Sequence, residues 1–226
     1  MIRIKKIIAD ETKLDHHLAI LISRTSPDYI VEIGCYDGFT LMNLGKYSPY
    51  SKLIGFEANP TNFFKLCLGK NIQNMAMSNK VGKINFYEPI SDGSHPSRIY
   101  KKKGSIFKVC EVDEHIEYEV SCTTLDTFFK SEIEAGKTFV LIVDAEGATK
   151  EILEGGKNFL KNTICLKIEV EKEEVFLGQS LENSCLEKLK DKILVGEQVS
   201  IDKKVLKQTN YYFVSDIKYA SQFIVY

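Results

Sequence analysis

The sequence predicts an α/β domain built on a mostly parallel sheet with helices on both faces, and two observations carry that prediction. From Tyr29 onward, short runs that are apolar at nearly every position alternate with helical stretches of about ten residues. A strand buried on both faces, as parallel strands are, has no polar side to show. The runs also close on glycine turns or on acids, "EIGCYDG" and "VDAEG" among them, and open parallel sheets bind ligands at such strand ends. A chain of 226 residues, 44% hydrophobic and 27% charged, is long enough for one such domain and short for two. Residues 1–226 are therefore read as one domain.

Residues 1–28 form a leading helical segment: "TKLDHHLAILISR" sets Leu14, Leu18, Leu21 and Ile22 at helical spacing, and Pro27 blocks continuation. His16 and His17 point in different directions and are read as surface residues. "YIVEIG" then leads into the helix "GFTLMNLGKY", and "SKLIGFEANP" into "TNFFKLCLGK". "IQNMAMSN" is a third short strand, "TFVLIVDAEG" leads into the helix "TKEILEGGKNFL", and "TICLKIEVE" leads through a loop into the helix "LENSCLEKLKDKIL". Residues 81–129 interrupt this rhythm. There "GKINFYEPI" and "EYEVSCTTL" alternate as exposed strands do, around the polar "SDGSHPSRIYKKKGS". Long loops inside compact domains are more often functional than accidental, so this insertion is read as a substrate-side cap. "EQVSI" and "YYFVS" supply terminal strands, and "ASQFIVY" has no assignable role.

A formal charge of −1 gives no pull toward nucleic acid or an anionic membrane, and the basic "KKKG" is followed by the acidic "EVDEHIEYE" as in a solvated loop. The six cysteines contain no C-x-x-C pair and suit reduced, buried thiols better than a disulfide or zinc framework. No segment approaches the roughly 20 apolar residues of a membrane span, and the first residues lack the apolar core of a signal peptide. The expectation is a soluble, cytoplasmic protein of open oligomeric state.

A nicotinamide site would require G-x-G-x-x-G, but counting from Gly34 those positions hold Tyr36 and Phe39. A ligand with a ribose and no phosphate fits better. Gly34 and Gly38 let the backbone pass beside an adenosine, and Glu57, ending the second strand, accepts both ribose hydroxyls. S-adenosylmethionine meets that description. "AGKT" is not a phosphate loop, because the earlier glycine falls at Ser131 and the motif precedes a strand.

Six blocks, "VEIGCYDGFT", "GFEANP", "NMAMSNKVGKINFY", "TTLDTFF", "VDAEGATKEILEGG" and "LKIEVE", follow one another in the order and spacing of the FkbM family of S-adenosylmethionine-dependent methyltransferases, which the chain resembles from Tyr29 to Glu171. The resemblance implies a Rossmann-like class I methyltransferase fold with an antiparallel last strand. It also implies O-methylation of a hydroxyl on a sugar, glycoconjugate or natural product, with a small molecule or glycan as acceptor. On these blocks the cofactor site comprises Glu32, Gly34, Cys35, Tyr36, Asp37, Gly38, Phe39 and Thr40, then Glu57, Ala58 and Asn59, then Ala76, Met77 and Ser78. Asp144 matches the family's strand-four acid and is expected to face the methionine end of the cofactor or the reacting group. Cys35, at the turn itself, has no partner base nearby and is read as a packing residue, not a nucleophile.

Methyl transfer to a hydroxyl needs an in-line approach and removal of a proton, and a positioned base typically adds about 10²–10⁴-fold. The candidates are Asp144, Glu146, Glu169 and His95. Acids two apart on a strand share a face, so Asp144 with Glu146, and Glu169 with Glu171, point into one crevice if strand geometry persists. Glu146 is open between a catalytic role and capping the following helix, while Glu171 is read as a solvated strand end. His115, set among acids, is a weaker candidate than His95. Were Asp144, Glu146 and Glu169 to surround an ion, oxygen ligands alone would suit magnesium or calcium better than zinc. The preferred version has no metal, with Glu169 or Asp144 as base. The competing class is a noncatalytic cofactor-binding or interaction protein that keeps the fold, and acids retained at both strand ends favour the enzyme.

Overall fold

The computed structural model describes residues 6–65, 71–90, 104–198 and 208–223. Period-two alternation sorts its strand side chains into two layers. On β2 (Tyr29–Ile33), Ile30 joins one apolar cluster while Tyr29, Val31 and Ile33 join the other. β8 (Phe139–Val143) divides the same way, Val140 and Ile142 against Phe139, Leu141 and Val143. Every residue of both strands is buried, so the unbroken apolar runs report two covered faces.

These strands lie inside an eight-stranded sheet of order β1 (Ile7–Ala9), β10 (Ile193–Gln198), β11 (Gln208–Val214), β9 (Thr163–Glu171), β8, β2, β3 (Lys52–Phe56) and β4 (Ile72–Gln73). All adjacent pairs are parallel except those of β11, which runs antiparallel to both β10 and β9. The expected doubly wound sheet with an antiparallel last strand is thus present. The chain runs outward from β2 through β3 to β4 and then returns to β8 on the other side of β2, so the strand order reverses between β2 and β8. A crevice opens beyond the strand ends at such a reversal.

One face is covered by α1 (Glu11–Thr25) and α8 (Ile217–Phe223). Asp10 starts α1 by accepting the Lys13 N–H at 3.0 Å, and Leu14, Leu18, Leu21 and Ile22 are buried against the sheet. Lys167, mid-β9 and 6% exposed, fixes the helix by bonding Glu11 at 2.6 Å and Asp15 at 3.0 Å. The other face packs α4 (Leu125–Phe128), α5 (Lys130–Glu134), α6 (Thr149–Glu154) and α7 (Glu182–Leu186) over aromatic rings, with Phe139 and Phe159 centred 4.2 Å apart. Burying each such ring contributes roughly 1.5–3 kcal/mol. β7 (His115–Thr123) and β6 (Gly82–Pro89) of the inserted region form a second, three-stranded sheet with β5 (Ala76–Met77). Cys35, Cys122, Cys165 and Cys185 are buried free thiols, and Cys110 is exposed. No helix among the described residues is long and apolar enough to cross a membrane.

Several expectations are corrected. "IQNMAMSN" is two strands in two sheets, β4 and β5, because the chain leaves the main sheet at Asn74, whose side chain bonds the Glu57 carbonyl at 2.8 Å. The helix in "TKEILEGGKNFL" stops at Gly155. There the Ser78 carbonyl would lie 2.1 Å from any Cβ, so only glycine admits the crossing chain. The helix in "LENSCLEKLKDKIL" stops at Leu186, a 3-10 turn follows to Leu189, and β10 begins at Ile193. His17 is not a surface residue: it is 7% exposed, its ring 5.7 Å from that of Phe223 in α8, and burial lowers its pKa. Phe223, within "ASQFIVY", belongs to α8 and completes this core. Residues 66–70, 91–103 and 199–207 carry parts of the predicted third helix, of the loop and of a terminal strand, and they lie outside the described residues.

Candidate active site

A cavity of about 320 Å³ opens at the strand-order reversal, lined from β2 by Ile33, Gly34 and Tyr36, and from β3 by Phe56, Glu57 and Ala58. From the β8 end come Asp144, Ala145, Glu146 and Ala148, and from β9 Glu169. Met75, Ala76 and Met77, with Phe86, Gly104 and Ile106 of the inserted region, close it. Its volume lies at the lower end of the roughly 300–1,000 Å³ usual for small-molecule sites.

The glycine turn is built by the sheet itself. Gly34 has φ +78°, and a Cβ there would sit 1.7 Å from the Asp144 carbonyl oxygen. The space that a Cβ would need is taken by the neighbouring strand end. Gly38, at φ +69°, starts α2 (Phe39–Gly45). Glu32 lies beneath the turn, accepting the Leu41 N–H at 3.0 Å, and burial together with the Asp144 carboxylate pushes its pKa up to about 8. Glu57 is 6% exposed and accepts two backbone N–H groups, that of Tyr36 at 2.9 Å and that of Asn59 at 2.8 Å. Burial raises its pKa to about 7 against those stabilising bonds.

Of the residues read as cofactor contacts, Gly34, Tyr36, Glu57, Ala58, Ala76, Met77 and Asp144 line the cavity. The remainder do not. Glu32, Cys35, Asn59 and Ser78 are buried behind its wall, with Cys35 packed against Gly55. Asp37 caps α2 by accepting the Phe39 N–H at 3.0 Å, while Phe39 and Thr40 border a separate groove beside α1. The sequence reading missed Phe56, Asn62, Met75, Phe86, Gly104 and Ile106. For Phe86 the alternation within "GKINFYEPI" was the available signal, since it marks a buried position on an otherwise exposed strand.

At the acidic end, carboxylate oxygens of Asp144, Glu146 and Glu169 lie within 4.8 Å of one another. They do not meet in the expected way, because β8 ends at Val143 and Glu146 sits in the left-handed region at φ 43°. That kink turns its carboxylate onto the Gln208 Nε2 at 3.0 Å, while its carbonyl accepts the Ser105 hydroxyl at 2.6 Å. Glu146 does not cap α6, whose N-cap is Ala148 with no side-chain bond. Glu171 is not solvated: it is 2% exposed and accepts from Gln179 at 2.9 Å. His115 accepts the Val109 N–H at 3.1 Å in the loop that roofs the cavity, and His95 lies outside the described residues.

The chain matches the family model described as the Methyltransferase FkbM domain over residues 32–194. No curated protein matches it significantly. Among solved structures it is similar to the magnesium protoporphyrin IX methyltransferase ChlM from Synechocystis PCC 6803 with bound SAM, at 8% identity over 91% of this chain and 79% of that one, with a TM-score of 0.47. Similarity to the N-methyltransferase NodS from Bradyrhizobium japonicum WM9 is 11% identity over 90% and 94% of the two chains, TM-score 0.46. For an O-methyltransferase from Bacillus cereus in complex with SAH the figures are 12%, 91% and 81%, with a TM-score of 0.45.

Proposed function

This chain belongs to the FkbM-domain methyltransferases, and from that premise we propose that it transfers a methyl group from S-adenosylmethionine to a hydroxyl of a sugar, glycoconjugate or natural product. The observation that carries the reading is the polarity of the cavity. Glu57 stands at the β3 end and the Asp144, Glu146 and Glu169 carboxylates at the β8 and β9 ends, with apolar side chains between. β3 and β9 are three strand spacings apart, roughly 14 Å, which separates a ribose-holding end from a reacting end.

The residues fit the cofactor. Each Glu57 oxygen accepts one backbone N–H and the Asn62 side chain bonds the carboxylate as well; a carboxylate offers about four acceptor sites, so one is open to a ribose hydroxyl and the second hydroxyl would take the site that Asn62 holds. Ala58, Ala76 and Met77 would flank the adenine, and Asp144 would face the methionine portion. When bound, S-adenosylmethionine supplies an electrophilic methyl group on a sulfonium. The chain orients the acceptor, excludes water and takes the hydroxyl proton on the Glu169 or Asp144 carboxylate. The three-stranded sheet of β5, β7 and β6 acts as the substrate-side cap, its Phe86 and the adjoining Ile106 closing the cavity. This version needs no metal.

Calorimetry with S-adenosylmethionine, S-adenosylhomocysteine and NAD, followed by methyl transfer from labelled cofactor to a panel of glycans and phenolic natural products, tests the reading. Binding of the two sulfur ligands without NAD, and label on an oxygen of an acceptor, is the expected result. NAD binding with no response to S-adenosylhomocysteine overturns it.

A further inference from the structure

Behind the acidic end of the cavity runs a directional relay of side-chain amides. Gln179, 9% exposed, accepts the Val175 and Phe176 N–H groups on its Oε1, at 2.8 and 2.5 Å. Its oxygen is thereby committed, and its Nε2 must face the other way, onto Glu171 Oε2 at 2.9 Å. Glu171 is buried and, as a carboxylate, accepts only. Gln208, paired with Glu171 across β11 and β9, therefore also turns its Nε2 inward, donating to Glu171 Oε1 at 3.3 Å and to Glu146 Oε2 at 3.0 Å. One amide nitrogen thus spans two carboxylates that would otherwise repel each other.

We propose that Gln208 is a positioning residue for the proposed methyl transfer, holding the Glu146 carboxylate beside Asp144 and Glu169 at the reacting end of the cavity. It lies beyond residues 32–194, the part of the chain that the family model matches, so this element of the site is supplied by the C-terminal strands. The inference rests on the methyltransferase reading for its purpose, but on the hydrogen bonds for its geometry. Glu146 needs such a restraint because its φ of 43° is one that only a surrounding network sustains in a residue with a Cβ. The restraint is two-sided: Ser105 in the cavity roof holds the carbonyl, and Gln208 holds the carboxylate. Glu146 lies beside the carboxyls of Asp144 at the end of β8 and Glu169 on β9 and, through Gln208, near that of Glu171, and Gln208 gives it a neutral donor.

The test is carbon-13 titration of glutamate carboxyls in the full-length chain, in buffer with EDTA, with and without S-adenosylhomocysteine, the Glu146 signal being assigned by Glu146→Gln. In Gln208→Ala, the loss of the donor should move the Glu146 midpoint up by about one pH unit, with S-adenosylhomocysteine affinity held within about twofold. Gln208→Glu, nearly isosteric, serves where the alanine variant does not fold, and its added carboxylate should move the midpoint at least as far. A midpoint unchanged from wild type in either folded variant overturns the proposal. Absence of S-adenosylhomocysteine binding by the wild type would instead count against the methyl-transfer reading, because the titration is read without ligand as well.

Discussion

The Glu57 carboxylate accepts the backbone N–H of Tyr36 at 2.9 Å, so the end of β3 holds the turn that follows β2. Tyr36 has φ 42° there, a conformation that costs an ordinary residue about 1–2 kcal/mol. A bulky residue where a dinucleotide site would carry glycine is tolerated because an acid on the neighbouring strand pins its backbone. That acid is also the one proposed to receive the ribose.

Replacing Glu57 with Gln should weaken S-adenosylhomocysteine binding tenfold or more, since the amide gives up charge-assisted bonds worth about 1.5–3 kcal/mol. Calorimetry on the folded variant is the measurement, and an unchanged Kd removes Glu57 from the ribose role.

Burial raises Glu57 to about 7, and a protonated carboxyl cannot accept two hydroxyls. Affinity for S-adenosylhomocysteine in the wild type should therefore fall as pH drops through about 7, by up to about tenfold per unit below it. Glu57→Gln should flatten this dependence, and a wild-type affinity that is level from pH 8 to about pH 5.5 would contradict it.

Glu32, raised to about 8 first by burial and then by Asp144, gives a linked effect on stability. A carboxyl whose folded pKa lies above its unfolded value contributes stability that is full below the unfolded value of 4.5 and is lost as pH rises through the folded one. For Glu57 and Glu32 that loss spans the interval from 4.5 to about 8. The ligand-free protein should resist urea better near pH 6 than at pH 8.5, and Glu32→Gln should shrink the difference. An equal difference in the variant would assign the effect to other groups.

Gly34→Ala and Gly178→Ala separate crowding from backbone strain. Both glycines have positive φ, 78° and 79°, but a Cβ at Gly34 meets the Asp144 backbone while one at Gly178 meets nothing within 4 Å. Gly178→Ala should cost about 1–2 kcal/mol, and Gly34→Ala over about 4 kcal/mol, with loss of S-adenosylhomocysteine binding. Urea denaturation of the two variants side by side reads the difference, and equal costs would refute the crowding.

Asp144→Asn and Glu169→Gln test the base. The variant that removes it should lower turnover by about 10²–10⁴-fold, with cofactor affinity intact in Glu169→Gln, and wild-type turnover should survive exhaustive chelation. Activity abolished by chelation and restored by magnesium would replace the carboxylate base with a metal-assisted one.

Alternation, glycine turns and terminal acids in the sequence were enough for the sheet and its two covered faces, because those features arise from local periodicity and from burial that repeats along each strand. Glu57, Asp144 and Glu169 were legible for the same reason: each ends an apolar run whose carboxyl end has to face the crevice. Partnership across the fold was not legible. "IEVE" does not say that Glu171 is sealed by Gln179 and Gln208, nor does "DHHLA" say that His17 meets Phe223 some 200 residues on. Gly34 makes the point most sharply, since a glycine at a strand end signals close approach without naming what approaches, and only the register of β2 beside β8 puts the Asp144 carbonyl there. Which strand ends exist is set by residues near in sequence. Which atoms fill the space between them is set by contacts between residues far apart, whose spacing no local pattern encodes.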